Sequence, residues 1–138
     1  MSLENIMSAI ATVEKDIVGI KRAYDQAPNS LNAWPCFVNF PDSGQIQRTT
    51  SLRIPVHTIK LLLFVLKGAD LPSSEAKIRP FLDATLDAFD GHLTLNGACS
   101  NSRILSYKYG VLAYGGSQFL GISFDLEVTE WTGMSFTA

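Results

Sequence analysis

The chain has 138 residues, 46% of them hydrophobic and 17% charged, with a formal net charge of -2. That length supports a single domain, residues 1–138, with a core of its own, and the apolar share excludes a disordered chain. The slight acidic excess and the lack of any Lys/Arg cluster exclude nucleic-acid binding driven by phosphate neutralisation.

At the N-terminus Leu3, Ile6, Met7, Ile10, Val13, Ile17 and Ile20 recur at steps of three and four. The spacing predicts a helix from Leu3 to about Ala23, capped by Ser2, with one apolar stripe that covers a sheet. No basic region precedes this stretch and Glu4 interrupts it, which argues against a secretory leader. Pro28 and its Asn and Ser neighbours end the helix. Trp34 to Phe40 then reads as a short strand bounded by Pro35 and Pro41, an edge strand or a strand end because proline cannot donate to a ladder. Pro41-Asp42-Ser43-Gly44 carries the residues of a turn. Beyond it Gln45 to Ser51 is polar and weakly β-prone, with Arg48 its one charge and Arg53 close behind. Gln45, Ile46, Arg48 and Arg53 are therefore the candidate interface residues, on an arm that reaches another chain or is simply solvated.

Ile54 to Lys67 is the next strand. From Ile59 to Leu66 it is apolar on both faces apart from Lys60, as a central strand covered on both sides must be; a helix takes one face and a neighbouring subunit is one candidate for the other. The run is far shorter than the about 20 residues of a membrane-spanning helix. His57 lies on this strand without nameable partners and reads as a satisfied structural residue. Leu71-Pro72-Ser73-Ser74-Glu75 opens a second helix, in which Pro80 is expected to break the pattern into two segments, the later one starting at Pro80 itself. Asp83, Asp87 and Asp90 share a flank and read as a solvated face rather than a metal site. Leu93, Leu95 and Gly97 form a short strand or turn. Ser74-Glu75-Ala76-Lys77 matches the letters of a Ser-x-x-Lys nucleophile motif but lacks its companion motifs and is explained as a helix start.

The last third, Ser102 to Trp131, reads as one long β-hairpin about Gly115-Gly116, a pair suited to the two φ > 0 positions of a type I′ turn. Setting Tyr114 opposite Ser117 places Val111 opposite Leu120, Tyr109 opposite Ile122, Tyr107 opposite Phe124 and Leu105 opposite Leu126 on one apolar face. The other face pairs Lys108 with Ser123, Ser106 with Asp125 and Ile104 with Glu127, with Lys108 diagonal to Asp125. A slip of one residue would send every apolar member to water, so one register is specified. Gly110 faces Gly121, which leaves a notch on the polar face and suggests a bulge or an accommodation of twist. Two strands alone are marginal in water, so helices must cover the apolar face. The expected class is α+β: a mainly antiparallel sheet with a long C-terminal hairpin, packed by an N-terminal helix and a kinked central one.

The order of these elements, together with Tyr109-Gly110, Gly115-Gly116, Phe119-Leu120-Gly121-Ile122-Ser123-Phe124, the closing Val128-Thr129-Glu130 and the Leu-Pro helix ending in Phe-Asp-Gly-His-Leu-Thr-Leu-Asn-Gly, resembles the tail terminator proteins of tailed bacteriophages, the minor tail protein U-like group. The resemblance covers most of the chain and carries no catalytic set. It implies a structural virion protein without enzymatic activity, cofactor or metal, assembled in the host cytoplasm as a homo-oligomeric ring, commonly a hexamer. Such a ring caps the tail tube protein and meets the head-closure or connector protein; no membrane and no nucleic-acid sequence are recognised. The alternatives are a neck or head-closure protein, and a small cytosolic α+β enzyme or ligand-binding domain with its site near His57, Tyr107 or Tyr109.

Overall fold

A computed structural model describes residues 2–48, 53–67 and 71–130. The elements run α1 (Leu3–Lys15), β1 (Arg22–Tyr24), β2 (Cys36–Arg48), β3 (Arg53–Lys67), α2 (Leu71–Asp90), β4 (Asn101–Tyr114) and β5 (Ser117–Thr129). One five-stranded sheet has the order β1-β2-β3-β5-β4, with β1 parallel to β2 and every other pair antiparallel. The protein is thus α+β, with β3 central as its doubly apolar sequence requires.

Both helices lie on one face. α1 packs over β1 and β2, and α2 over β4 and β5. Ile6, Met7, Ile10, Val13 and Ile17 meet Phe37, Ile59, Leu61, Leu63, Ile122, Phe124 and Leu126 in the main core, with Ile78 and Phe89 of α2 closing the other side. α1 is capped by Ser2, whose side chain accepts from the Asn5 N–H, but it ends at Lys15 rather than near Ala23. Ile17 still reaches the core and Ile20 packs against it from the turn that follows, in which the Ile17 N–H donates to the Glu14 carbonyl and the Ile20 N–H to the Ile17 carbonyl. Gly19, at φ 92°, reverses the chain there and lets Arg22–Tyr24 join the sheet as β1.

Two predicted breaks are continuous structure. Pro41-Asp42-Ser43-Gly44 is not a turn: β2 runs through it with a bulge at Asp42, since Pro41 pairs with Ile59 and Ser43 with Thr58. The bulge absorbs residues that would otherwise reverse the chain. Likewise Pro80 lies inside an unbroken α2. Pro80 and Ala76 are both exposed, so the carbonyl that the ring deprives of its donor faces water and the helix tolerates the proline. Residues 91–100 form turns, with Leu95, Asn96 and Gly97 at positive φ and Leu95 fully buried as the anchor of the loop.

The C-terminal hairpin has the expected turn, with Gly115 at φ 59° and Gly116 at φ 81°. Its register is as expected from Tyr114–Ser117 through Ser106–Asp125. A bulge at Leu105 then shifts it by one, so that Ile104 pairs with Leu126 and Arg103 with Glu127. Ile104 consequently joins the core, Leu105 turns out to solvent, and Arg103 forms an ion pair with Glu127 at 3.2 Å. Asp125 is held by Lys60 of β3 at 2.5 Å and by Ser106, in place of the expected diagonal Lys108. Trp131, the expected end of the hairpin, lies outside the described residues.

The opposite face of the sheet is covered at the hairpin-turn end by the chain itself. Cys36, Val38, Phe64 and Phe119 form a second buried cluster, sealed by Leu31, Trp34 and Tyr114. Trp34 meets Phe119 edge-on at 5.6 Å, Lys67 Nζ lies 5.7 Å from the Trp34 ring, and the Tyr114 hydroxyl donates to the Pro28 carbonyl. At Phe64 the second apolar face of β3 is therefore covered by the chain itself, through Leu31, Trp34 and Tyr114.

Candidate assembly surfaces

The four arm residues sit together at one end of the β2–β3 hairpin. Arg48 pairs directly with Arg53 and Ile46 with Pro55, while Gln45 pairs with Val56. Because strand side chains alternate, Ile46 and Arg48 share a face, and direct cross-strand pairing puts Arg53 on that face too. Gln45, Ile46, Arg48 and Arg53 are all exposed, as is the whole of β2 from Phe40 onward. Of the polar arm expected from the sequence, Gln45–Arg48 extends the sheet and residues 49–51 lie outside the described residues.

The sheet itself ends in two long strands. Among the described residues no strand pairs with the outer edge of β4 over its 14 residues, nor with the outer edge of β2 beyond Val38. Long open edges present rows of backbone donors and acceptors to any chain that can align with them. The β4 edge is also apolar on its core-side face. Tyr107 is 49% exposed and Val111 59%, even though their partners Phe124 and Leu120 are buried. α2 reaches Tyr109, whose phenol is pushed up by burial and by Glu75, but leaves its neighbours on either side open. This corrects the expected hairpin face: β5 supplies core and β4 supplies surface. With Leu105 at 50%, three large apolar side chains line one edge.

At the other side of the sheet, Leu3, Glu4, Met7 and Ser8 of α1 form a groove of about 400 Å³ with Asp25, Gln26 and Pro41. It opens beside the free part of β2, just past the point where β1 stops pairing with it. Two carboxylates flank an apolar floor.

The residues singled out in the sequence for a possible enzyme site are His57, Tyr107 and Tyr109. His57 Nε2 lies 2.6 Å from Glu130 Oε2, an ion pair when the ring is protonated, so this histidine has a partner from just past the end of β5. That partner is 73 positions away, and only strand pairing brings it close. Tyr107 and Tyr109 stack edge-on with each other at 5.9 Å. Tyr109 pairs with Ile122 and His57 with Val128, about 20 Å apart along β5 at the usual strand rise. His57, Tyr107 and Tyr109 therefore do not converge on one site. Burial pushes the Cys36 thiol up to about 11 and raises that of Cys99, which donates to the Leu93 carbonyl; both are the reverse of an activated nucleophile. Asp83, Asp87 and Asp90 are exposed on α2, and no group of three or more metal-ligating side chains occurs among the described residues. Lys77 of the Ser-x-x-Lys match points to solvent, and no helix is long and apolar enough to cross a membrane.

One buried polar pair was not legible in the sequence. Glu14 and Asn39 are fully buried, with Asn39 Nδ2 donating to Glu14 Oε1 at 2.5 Å and to the Tyr24 carbonyl at 3.0 Å. Glu14 Oε2 and Asn39 Oδ1 have no other partner. Burial raises the Glu14 carboxyl well above its ordinary range, against a smaller opposing effect of the Asn39 bond. A protonated Oε2 can donate to Asn39 Oδ1, which turns two orphaned acceptors into one acid–amide pair. The pair ties α1 to β2 and β1.

No family model matches the chain, and no curated protein matches it.

Proposed function

We propose that the protein is a structural subunit whose work is done through interfaces, and that it is the tail terminator of a tailed bacteriophage. In this reading copies join into a closed ring, commonly of six, that caps the tail tube protein and meets the head-closure or connector protein. The protein resides in the virion, performs no catalysis and needs no cofactor. The phage assignment rests on the resemblance of element order and glycine placement; the assembly reading rests on one observation, the open β4 edge with Leu105, Tyr107 and Val111 exposed along it. A strand of that length with apolar side chains and no protecting partner is an association surface or an aggregation hazard, and a functional protein resolves this by pairing it. Surfaces that differ, an apolar edge on one side of the sheet and a polar arm and groove on the other, suit head-to-tail contacts, which close into rings when the rotation per subunit allows.

The test is the solution mass of the purified chain, alone and with tail tube protein. Particles at a multiple of 15.1 kDa, visible as rings in electron micrographs, are the expected result. A monomer that neither self-associates nor joins tubes overturns the proposal.

A further inference from the structure

We infer that copies join edge to edge, the free arm of β2 in one copy pairing antiparallel with β4 of the next, so that Ile46 packs on Tyr107 of its neighbour. The inference rests on the assembly reading above and names the contact through which the copies engage.

β2–β3, β3–β5 and β5–β4 are all antiparallel, so β2 and β5 run one way and β3 and β4 the other. A second copy that extends the sheet with the same face outward and the same strand direction therefore sets its β2 antiparallel to the first copy's β4. The two edges lie on opposite sides of the sheet, so each copy gives one and receives the other. Their faces match as well. Ile46 pairs with Pro55, an even number of residues from the core residue Ile59, and so shares the helix-covered face, where it is 56% exposed. On that same face β4 exposes Tyr107 and Val111, whose partners Phe124 and Leu120 are in the core. The other face carries Gln45 and Gln47 on the arm and Ser106 and Lys108 on β4, all exposed. Continuing the sheet keeps each face in line, so apolar meets apolar and amide meets hydroxyl and ammonium. With Ile46 opposite Tyr107, Gln45 falls opposite Lys108. Gly44, which has no side chain to crowd the overlying helix, then falls opposite Tyr109, where α2 packs.

This register also closes. Within a copy Tyr107 stands level with Asn39, through Phe124 and Leu61, whereas Ile46 lies at Pro55, six residues further along β3 toward the arm. Successive copies are then offset by about 20 Å along the strands, at a rise of ~3.4 Å per residue, while the four strands from β2 to β4 span about 19 Å. Offset and width of nearly equal size tilt the strands by about 45° to the ring axis, at the upper end of the about 35–45° of closed barrels. The pairing ends where it must: Val38, at which β1 takes the edge of β2, falls opposite Tyr114, the last residue of β4. A two-fold pairing of β4 with β4 would instead leave Ile46 in water and set side by side two strands whose only charges are Arg103 and Lys108.

The experiment is disulfide trapping in the full chain, with Gln45→Cys and Lys108→Cys together, each alone, and Gln45→Cys with Ser106→Cys as the pair out of register. The substituted side chains are exposed, the native Cys36 and Cys99 are buried, and two strands separate the new thiols within one chain, so a bond between them joins two copies. A circular dichroism spectrum and a urea midpoint close to the parent's under reducing conditions establish that each variant is folded. Mild oxidation of the Gln45→Cys/Lys108→Cys chain is expected to give covalent multiples of 15.1 kDa on a non-reducing denaturing gel. The out-of-register pair is expected to link at least about tenfold more slowly, because a disulfide tolerates little extra separation. Ile46→Lys is expected to weaken association about tenfold or more in sedimentation, as loss of one buried apolar side chain does. A double variant that stays unlinked, an equal yield from the out-of-register pair, or Ile46→Lys that associates like the parent overturns the contact. So does Lys108→Cys alone if it gives dimers in high yield, as pairing of β4 with β4 would. If the parent forms rings while the double variant stays unlinked, the edge contact fails and the ring reading stands. If the covalent multiples form but never close into rings, the contact stands and the ring fails.

Discussion

Phe124 and Glu14 show how differently two fully buried residues can contribute. Phe124 lies at the centre of the sheet's covered face, 6.5 Å from Phe37 between ring centres, and both rings are in the main core. Phe124→Ala is expected to cost about 3–5 kcal/mol, because the sheet and α1 cannot collapse around the lost ring; a urea denaturation shift within about 0.5 kcal/mol of zero would place the ring outside the core. Its inward position was legible from the hairpin register alone. The helical spacing of α1 does not mark Glu14 as buried, since spacing says which face a residue shares and nothing about what lies over that face. With its carboxyl raised by burial, the folded protein holds the proton more tightly than the unfolded chain, whose carboxyl titrates near the ordinary 4.5. The stability from this difference is complete below that value and declines as pH rises through the folded pKa. Glu14→Gln keeps an acceptor for Asn39 Nδ2 and adds a donor for Asn39 Oδ1. The substitution should flatten the fall in urea midpoint as pH rises above the ordinary carboxylate range; an unchanged slope would mean the carboxyl is ionised in the native state.

Bulges at the element scale explain two misassignments, the turn expected over Pro41–Gly44 and the register beyond Leu105. An extra residue at Asp42, at Val65 or at Leu105 costs a strand one register step, and the one at Leu105 leaves no signature that differs from ordinary alternation. The Val65 bulge has a visible consequence in Gly121. There the β3 backbone comes so close that an added Cβ would lie 1.8 Å from the Leu63 carbonyl oxygen, whereas one at Gly110 would meet nothing within 4 Å. The facing glycines are therefore not equivalent: Gly121 admits the neighbouring strand, and Gly110 borders an open groove with Lys108, Val111 and Ser123. Gly121→Ala is expected to destabilise the protein by at least the about 1–3 kcal/mol of a typical overpacked site. Gly110→Ala should be neutral or slightly stabilising, by reducing the freedom of the unfolded chain. Equal effects of the two in thermal unfolding would contradict the close approach at Gly121.

For the whole molecule, the sheet has one well-covered face, a second face sealed at one end by Leu31, Trp34 and Tyr114, and, among the described residues, no strand paired with the outer edge of β4; in the proposed assembly that edge meets another chain. Val111→Lys puts a charge on the β4 edge at an exposed position, where it should leave the urea midpoint nearly unchanged and abolish ring formation in sedimentation and micrographs. Rings that persist would remove β4 from the assembly surface. The sequence by itself determined the α+β class, the central place of β3, the Gly115-Gly116 turn and the exposed arm from Gln45 to Arg48, because strand alternation, doubly apolar runs and turn chemistry are local and act over a few residues. Only the tertiary structure decided that β1 exists, that the second face of β3 is covered from within, that His57 finds Glu130 and Glu14 finds Asn39, and that the outer half of the hairpin face is open. Each of those depends on which distant segment arrives above a given side chain, and how far a helix extends over a strand is set by packing between elements rather than by the pattern within either one.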